Sequence, residues 1–142
     1  MKRIVLLVTV ALLAATMPGS VATAQETDTV RIEVDPIAKL LGDGQAVRVK
    51  VKAACEPPAV VLEASVFAQQ DEQAVWGESG IASVVCNGKS QVRFVEVNAL
   101  EGQFHRGEAY VSAGVLVCLN PDCEDTAGAG DIRTVEVVGK PR

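Results

Sequence analysis

Apolar and polar residues alternate with a period of two along most of the chain, a pattern typical of β-strands with one buried face. The clearest case is Ala46–Cys55, where three valines and Ala53 alternate with Arg48, Lys50 and Lys52. A proline pair follows at 57 and 58 and ends this strand, since proline has no amide hydrogen for a ladder. Similar strands are predicted over 27–35, 59–69, 74–76, 81–86, 90–98, 108–119 and 132–138.

Turn residues separate these segments at short intervals. Asn87-Gly88 is the strongest hairpin signal, because both turn positions of type I′ need positive φ, and it is expected to join 81–86 to 90–98. Residues 126–131 are small and are predicted to form a loop. About seven or eight short strands without a helix predict an all-β, immunoglobulin-like antiparallel β-sandwich, with a closed barrel as the alternative.

The first 24 residues have the organisation of a secretory signal peptide. Lys2 and Arg3 precede an apolar run over 4–15, and Ala22-Thr23-Ala24 matches an A-x-A cleavage site. The run is too short to cross a bilayer core of roughly 30 Å. We therefore expect cleavage before Gln25, with an uncleaved anchor as the alternative, and a single secreted domain over 25–142.

Charge narrows the classes of partner. Without the leader, 11 basic residues face 18 acidic ones, so the predicted mature chain carries a net charge of −7. An acidic domain argues against nucleic acid and anionic membranes as partners. No second apolar stretch is long enough to span a membrane once the signal peptide is removed.

Four cysteines lie in the exported part, and an even number in a small exported domain indicates disulfides. Cys118 and Cys123 flank a four-residue turn that can bring their Cα atoms to within 4.4–6.8 Å, the spacing a disulfide needs. The second pair is then Cys55–Cys86, and Cys55 is in phase with the inward valines of its strand. Zinc binding by the four thiols is the alternative, and an oxidising compartment disfavours it.

Residues suited to catalysis are scarce. His105 is the only histidine and lies in a predicted loop, and no serine has the G-x-S-x-G setting of a hydrolase nucleophile. The carboxylates after the last predicted turn lack calcium-loop spacing and are expected to be solvated: Asp122, Glu124, Asp125 and Asp131. We therefore predict no enzyme activity, no cofactor and no metal site.

One apolar patch is a candidate binding site. Phe67 is out of phase with the apolar face of its strand, Trp76 lies on the next short strand, and Val61 shares the phase of Phe67. These residues predict a secreted, non-enzymatic binding module for a protein, a cell-envelope component or a small hydrophobic molecule. The alternatives are a minor core on the far sheet, and a structural or envelope-associated domain without a dedicated ligand.

Four features resemble the small secreted immunoglobulin-like domains of actinobacteria: the leader, V-R-V-K-V-K-A-A-C ending at Cys55, V-V-C-N-G-K at Cys86, and F-H-R-G-E-A-Y-V-S-A from Phe104 to Ala113. The C-x4-C at Cys118–Cys123, followed by D-T-A-G-A-G, also resembles the end of the neocarzinostatin-type apoproteins. Members of that family are seven-stranded sandwiches that carry an enediyne chromophore in a cleft. The resemblance implies a fold, and we do not extend it to a function.

Overall fold

A computed structural model describes residues 29–139, which form seven strands and no α-helix. The strands are β1 (Val30–Leu41), β2 (Ala46–Cys55), β3 (Val60–Gln70), β4 (Val75–Gly80), β5 (Gln91–Glu101), β6 (Gly107–Cys118) and β7 (Thr126–Val138). Within this range, no helix is long and apolar enough to cross a membrane. The predicted signal peptide and the cleavage site before Gln25 lie outside the described residues and stay predictions.

The strands close into a barrel in the order β1–β2–β5–β4–β3–β6–β7. The predicted open sandwich is therefore wrong, and the alternative, a closed barrel, is what the chain forms. Every neighbouring pair is antiparallel except β1 and β7, which run parallel where Ile37–Lys39 meets 136–138. The sequence pattern could not separate the two folds, because strands of both alternate inward and outward residues with the same period.

A β-bulge in β1 makes one of the two closures. The β1–β2 register shifts between Val34 and Ala38, and beyond the shift β1 pairs with β7 as well as β2. A bulge bends a strand and increases its local twist, which turns this half of β1 toward β7. Before the bulge, the Val34 amide donates to Asp131 Oδ2 at 2.7 Å, so a side chain from β7 bridges the strands where no ladder forms.

β4 makes the other closure by pairing with both β3 and β5. Gly77 permits this, because a Cβ at this position would collide with the backbone carbonyl of Asn98 on β5. Since both joins are made by strands with two partners, the free edges of two separate sheets are absent from the described barrel.

Valine fills most of the barrel interior, where its branched side chain packs well on a pleated surface. Val34, Val49, Val66, Val97 and Val117 have 0% of their surface exposed. A barrel of this size is filled by its own side chains, so a binding surface is expected on the outside.

Both predicted disulfide pairings are confirmed. Cys55–Cys86 has a Cα–Cα distance of 4.5 Å, and Cys118–Cys123 one of 4.8 Å. Cys55 ends β2 and Cys118 ends β6, and Cys118 is opposite the first residue of β3, so both crosslinks lie at one end of the barrel.

The predicted hairpin at Asn87-Gly88 is wrong, since 81–86 form no strand. Cys86 is tied to Cys55, and the Gly88 amide donates to the Cys55 carbonyl at 2.8 Å. The side-chain amide of Gln91 accepts from the Val85 amide at 3.0 Å and donates to its carbonyl at 2.6 Å. Side-chain and turn contacts therefore replace a ladder here, and this is why the barrel has seven strands.

The loop predicted over 126–131 is also wrong, because these residues pair with β6 as the first half of β7. Their small side chains signalled a loop, but the ladder to β6 supplies their backbone partners whatever the side-chain size.

Candidate functional site

Phe67 and Trp76 stack on the outer surface of the barrel. Phe67 lies opposite Glu78 and Trp76 lies opposite Gln69 in the β3–β4 register, so the rings occupy diagonal positions on one face. Their centroids are 6.0 Å apart with an interplanar angle of 27°, and both residues are half-buried. The sequence predicted that these residues would share an exposed patch, and the structure brings them together.

A shallow groove runs beside this pair across β3, β6 and β7, with a volume of about 670 Å³. Ser112 on β6 lies between Phe67 on β3 and Ile132 on β7, and it is opposite both in the ladder. Ile132 is 62% exposed. We call this surface the aromatic groove and define it by Ser65, Phe67, Trp76, Ser112, Gly114, Gly130 and Ile132.

Glycine and serine make the floor of the groove. Gly114 lies opposite Ser65 on β3 and Gly130 on β7, and it alternates with the inward-facing Ala113 and Val115. A Cβ at Gly114 would be 3.8 Å from its nearest neighbour and one at Gly130 would be 3.5 Å away, which are ordinary contact distances. Unlike Gly77, these two glycines are not required for barrel closure. Their effect is to leave the floor flat.

Two carboxylates border the groove. Glu78 is exposed and lies opposite Phe67, on the same outward face of β4 as Trp76. Asp131 is committed to the fold, because its Oδ2 accepts the Val34 amide and lies 3.4 Å from the guanidinium of Arg133. Glu78 is therefore the acid that remains available to a bound molecule.

Val61 does not join the Phe67–Trp76 pair. A register shift between Val61 and Glu63 reverses the phase at the start of β3, so Val61 lies opposite the fully buried Val117 and packs against the core. Val60 and Leu62 alternate with Val61, so the period of two predicts that they face inward with Val66 and Ala68, but they are 62% and 52% exposed. One extra residue at a bulge inverts the faces before it, and periodicity alone does not reveal where it falls.

His105 lies against the turn between β3 and β4, beyond one end of the groove. Its Nε2 is 3.0–3.1 Å from both carboxylate oxygens of Asp71, and its Nδ1 is 2.9 Å from the Arg106 carbonyl. The Arg106 carbonyl and then Asp71 raise the pKa of His105 above its ordinary value. Both side chains are 52% exposed, so this solvated pair adds little stability and lies apart from the rings.

The β3–β4 turn is held in an unusual conformation. Asp71, Glu72 and Gln73 have φ values of 53°, 55° and 78°, in the left-handed region that non-glycine residues rarely adopt. Beneath the turn, the buried amide of Gln70 donates to the carbonyls of His105 and Glu108 and accepts from the His105 amide. These three bonds tie the His105 loop to the strand that carries Phe67.

The carboxylates expected to form a solvated loop do not converge. Asn120 organises that loop by accepting from the amides of Glu124 and Asp125 and by donating to the Asp125 carboxylate, while Asp131 lies away on β7. Among residues 29–139, no group of three or more histidine, cysteine or acidic side chains could hold a metal ion.

No protein-family model matches the chain, and no curated protein matches it. The resemblance to actinobacterial secreted domains and to the neocarzinostatin-type apoproteins therefore stays a prediction. Sequence reasoning missed the floor of the aromatic groove. The small residues of 126–131, which include Gly130 of the floor, were the available signal, but they were interpreted as a loop and they form a strand.

Proposed function

We propose that the chain is a secreted, non-enzymatic binding module and that the aromatic groove is its binding surface. The carrying observation is a stacked, half-exposed Phe67–Trp76 pair beside a floor of glycines that the barrel does not need. Glycine within a strand costs roughly 0.5–1 kcal/mol relative to alanine, and it often marks a place where a ligand approaches the backbone. A binding role explains why this cost is retained.

The shape of the groove indicates what it can hold. Phe67 and Ile132 rise on either side of a floor without long side chains, so a flat apolar group can lie on the backbone and contact both. The ring faces of Phe67 and Trp76 supply large apolar area at low conformational cost. We therefore propose a ligand that presents a flat apolar group, carried by a small molecule, a protein or a cell-envelope component.

Secretion is supported by the crosslinks. Two disulfides and no free cysteine among the described residues fit an oxidising compartment outside the cytoplasm. Together with the leader over 1–24, they support export of the domain.

The test uses Trp76 as its own reporter, because it is the only tryptophan. Purified protein is titrated with N-phenyl-1-naphthylamine, a neutral aromatic dye, and quenching of tryptophan emission is followed. Saturable quenching is expected. Phe67→Ala should weaken dye binding about tenfold, while Leu62→Ala, which truncates an exposed apolar residue of the same strand outside the groove, should leave it unchanged.

The stability of Trp76→Ala separates the proposal from a purely structural role. Since Trp76 is half-buried, its truncation should cost about 1–2 kcal/mol, which is less than the roughly 3–5 kcal/mol of a fully buried aromatic side chain. A loss in the higher range, with no dye binding by the unmodified protein, would assign the pair to the fold alone.

A further inference from the structure

Charge is distributed unevenly around the barrel. The described residues include nine basic side chains, and five of them project outward from β1 and β2: Arg31, Lys39, Arg48, Lys50 and Lys52. Outward acids on β1, β2 and β5 number four: Glu33, Asp35, Glu96 and Glu101. The outward strand positions on this side therefore carry a net charge of +1 on an acidic protein.

Apolar side chains are exposed within that basic region. Phe94 on β5 lies opposite Lys50 and is 65% exposed, and Val92 lies opposite Lys52. Arg48 pairs with Glu96 at 3.5 Å and, with Phe94, lines a shallow depression. We call this surface the basic face and define it by Arg48, Lys50, Lys52, Val92 and Phe94.

The side that carries the aromatic groove has the opposite charge. The outward strand positions of β3, β4, β6 and β7 hold four acids and no basic residue: Glu63, Glu78, Glu108 and Glu136. The order of strands places β3 and β6 across the barrel from β1, β2 and β5. The molecule thus presents two opposed surfaces of opposite charge, with the half-buried Phe67–Trp76 pair on the acidic surface and the exposed Phe94 on the basic one.

We infer that the aromatic groove of one copy binds the basic face of a second copy. Phe94 supplies the flat apolar group that the groove can hold, and Lys50 and Lys52 beside it match the acids around the groove, Glu78 among them. This inference rests on the proposed function, because it names the partner of the same groove. The two surfaces are different, so the contact is head-to-tail and builds chains or rings.

The size of the basic face sets the expected strength. A ten-residue strand is roughly 33 Å long, and three neighbouring strands span about 10–15 Å. The contact therefore buries about 700–1,000 Å² in total, at the lower end of the range of weak, transient interfaces. Association should require high protein concentration and should weaken as salt screens the opposed charges.

Sedimentation velocity of the purified protein, at concentrations up to hundreds of micromolar, tests the inference. We expect the weight-average sedimentation coefficient to rise with concentration in low salt, and this rise to be lost at high salt. Lys50→Glu/Lys52→Glu and Trp76→Ala should each abolish it. Lys89→Glu/Arg106→Glu makes the same change in net charge outside the basic face and should retain it.

Mixing the two deficient variants gives the sharpest result. Trp76→Ala keeps an intact basic face and Lys50→Glu/Lys52→Glu keeps an intact groove, so the mixture should form a one-to-one dimer and nothing larger. Failure of the mixture to associate, or self-association of Lys50→Glu/Lys52→Glu equal to that of the unmodified protein, would overturn the inference.

The inference would also be overturned if the unmodified protein stayed monomeric at all concentrations. The same holds if the monomer bound vesicles of anionic lipid through its basic face. In either case the titration with N-phenyl-1-naphthylamine measures ligand binding in the aromatic groove independently of self-association. Dye binding by a monomeric protein removes only the second copy as partner, whereas loss of dye binding removes the proposed function as well.

Discussion

Gln70 is the one buried polar side chain in the described core, 3% exposed, and its amide is predicted to hold the His105 loop on the barrel. Its Nε2 lies 2.8 Å from the His105 carbonyl and 3.1 Å from that of Glu108, and its Oε1 lies 2.9 Å from the His105 amide. Gln70→Met keeps the length of the side chain and removes all three hydrogen bonds.

The expected loss follows from those bonds. Each hydrogen bond contributes about 1 kcal/mol net, and a backbone group left without a partner costs about 1–3 kcal/mol when it is buried. The three groups here are partly buried, so the lower value applies and Gln70→Met should lose about 3 kcal/mol. For a domain of this size, the melting temperature should fall by roughly 10–15 °C.

Urea unfolding followed by far-UV circular dichroism measures this loss as a shift in the midpoint at constant slope. Gln69→Met is the matched control, because Gln69 is the neighbouring residue on the same strand and faces outward opposite Trp76 and Tyr110. Its cost should stay within about 0.5 kcal/mol. If Gln70→Met falls within about 1 kcal/mol of this control, the amide does not hold the loop.

Three further predictions concern the loop, the bulge and the crosslinks. The raised pKa of the single histidine, His105, should appear in a proton NMR titration as a midpoint above 6.5 that Asp71→Asn lowers. The small stabilisation from the His105–Asp71 pair is complete below pH 6.5 and is lost as pH rises through the raised pKa. An unshifted midpoint would contradict the contact. In chemical unfolding, Val61→Ala should cost about 1 kcal/mol or more and Val60→Ala less than about 0.5, whereas the reverse order would show that the bulge in β3 is misplaced. Replacing Cys55 and Cys86 by alanine should cost about 3–4 kcal/mol and replacing Cys118 and Cys123 about 2, since the closed loops have sequence separations of 31 and 5; equal losses would contradict a loop-entropy origin.

Most strands could be predicted because one-sided burial imposes a period of two on the sequence. The valines of β2 and the phase of Cys55 follow from this pattern, and the pairing with Cys86 followed from closing the short Cys118–Cys123 loop. Closure of the barrel could not be predicted, because it depends on the bulge in β1 and on the two partners of β4, and neither changes the alternation.

The candidate site was predicted in part. Phe67 stood out because it breaks the phase of the apolar face of its strand, and Trp76 because it lies on the next short strand. The phase gives the correct face for Phe67, where β3 is regular. It failed for Val61, since the bulge lies between Val61 and the rest of the strand. The flat floor and the opposed charges needed the strand order, which brings together β3, β6 and β7 from distant parts of the sequence.

Gly114→Val is the most direct test of the aromatic groove as the binding surface, because it fills the floor of the groove and leaves Phe67 and Trp76 unchanged in sequence. A Cβ fits at this position at 3.8 Å from its nearest neighbour, and valine favours strands, so the free energy of unfolding should be unchanged or higher. Titration of this variant with N-phenyl-1-naphthylamine, followed by Trp76 emission, should show binding at least about tenfold weaker than in the unmodified protein, since a flat ligand needs the open floor. A stable Gly114→Val that binds the dye with unchanged affinity would contradict the assignment of the groove as the binding surface.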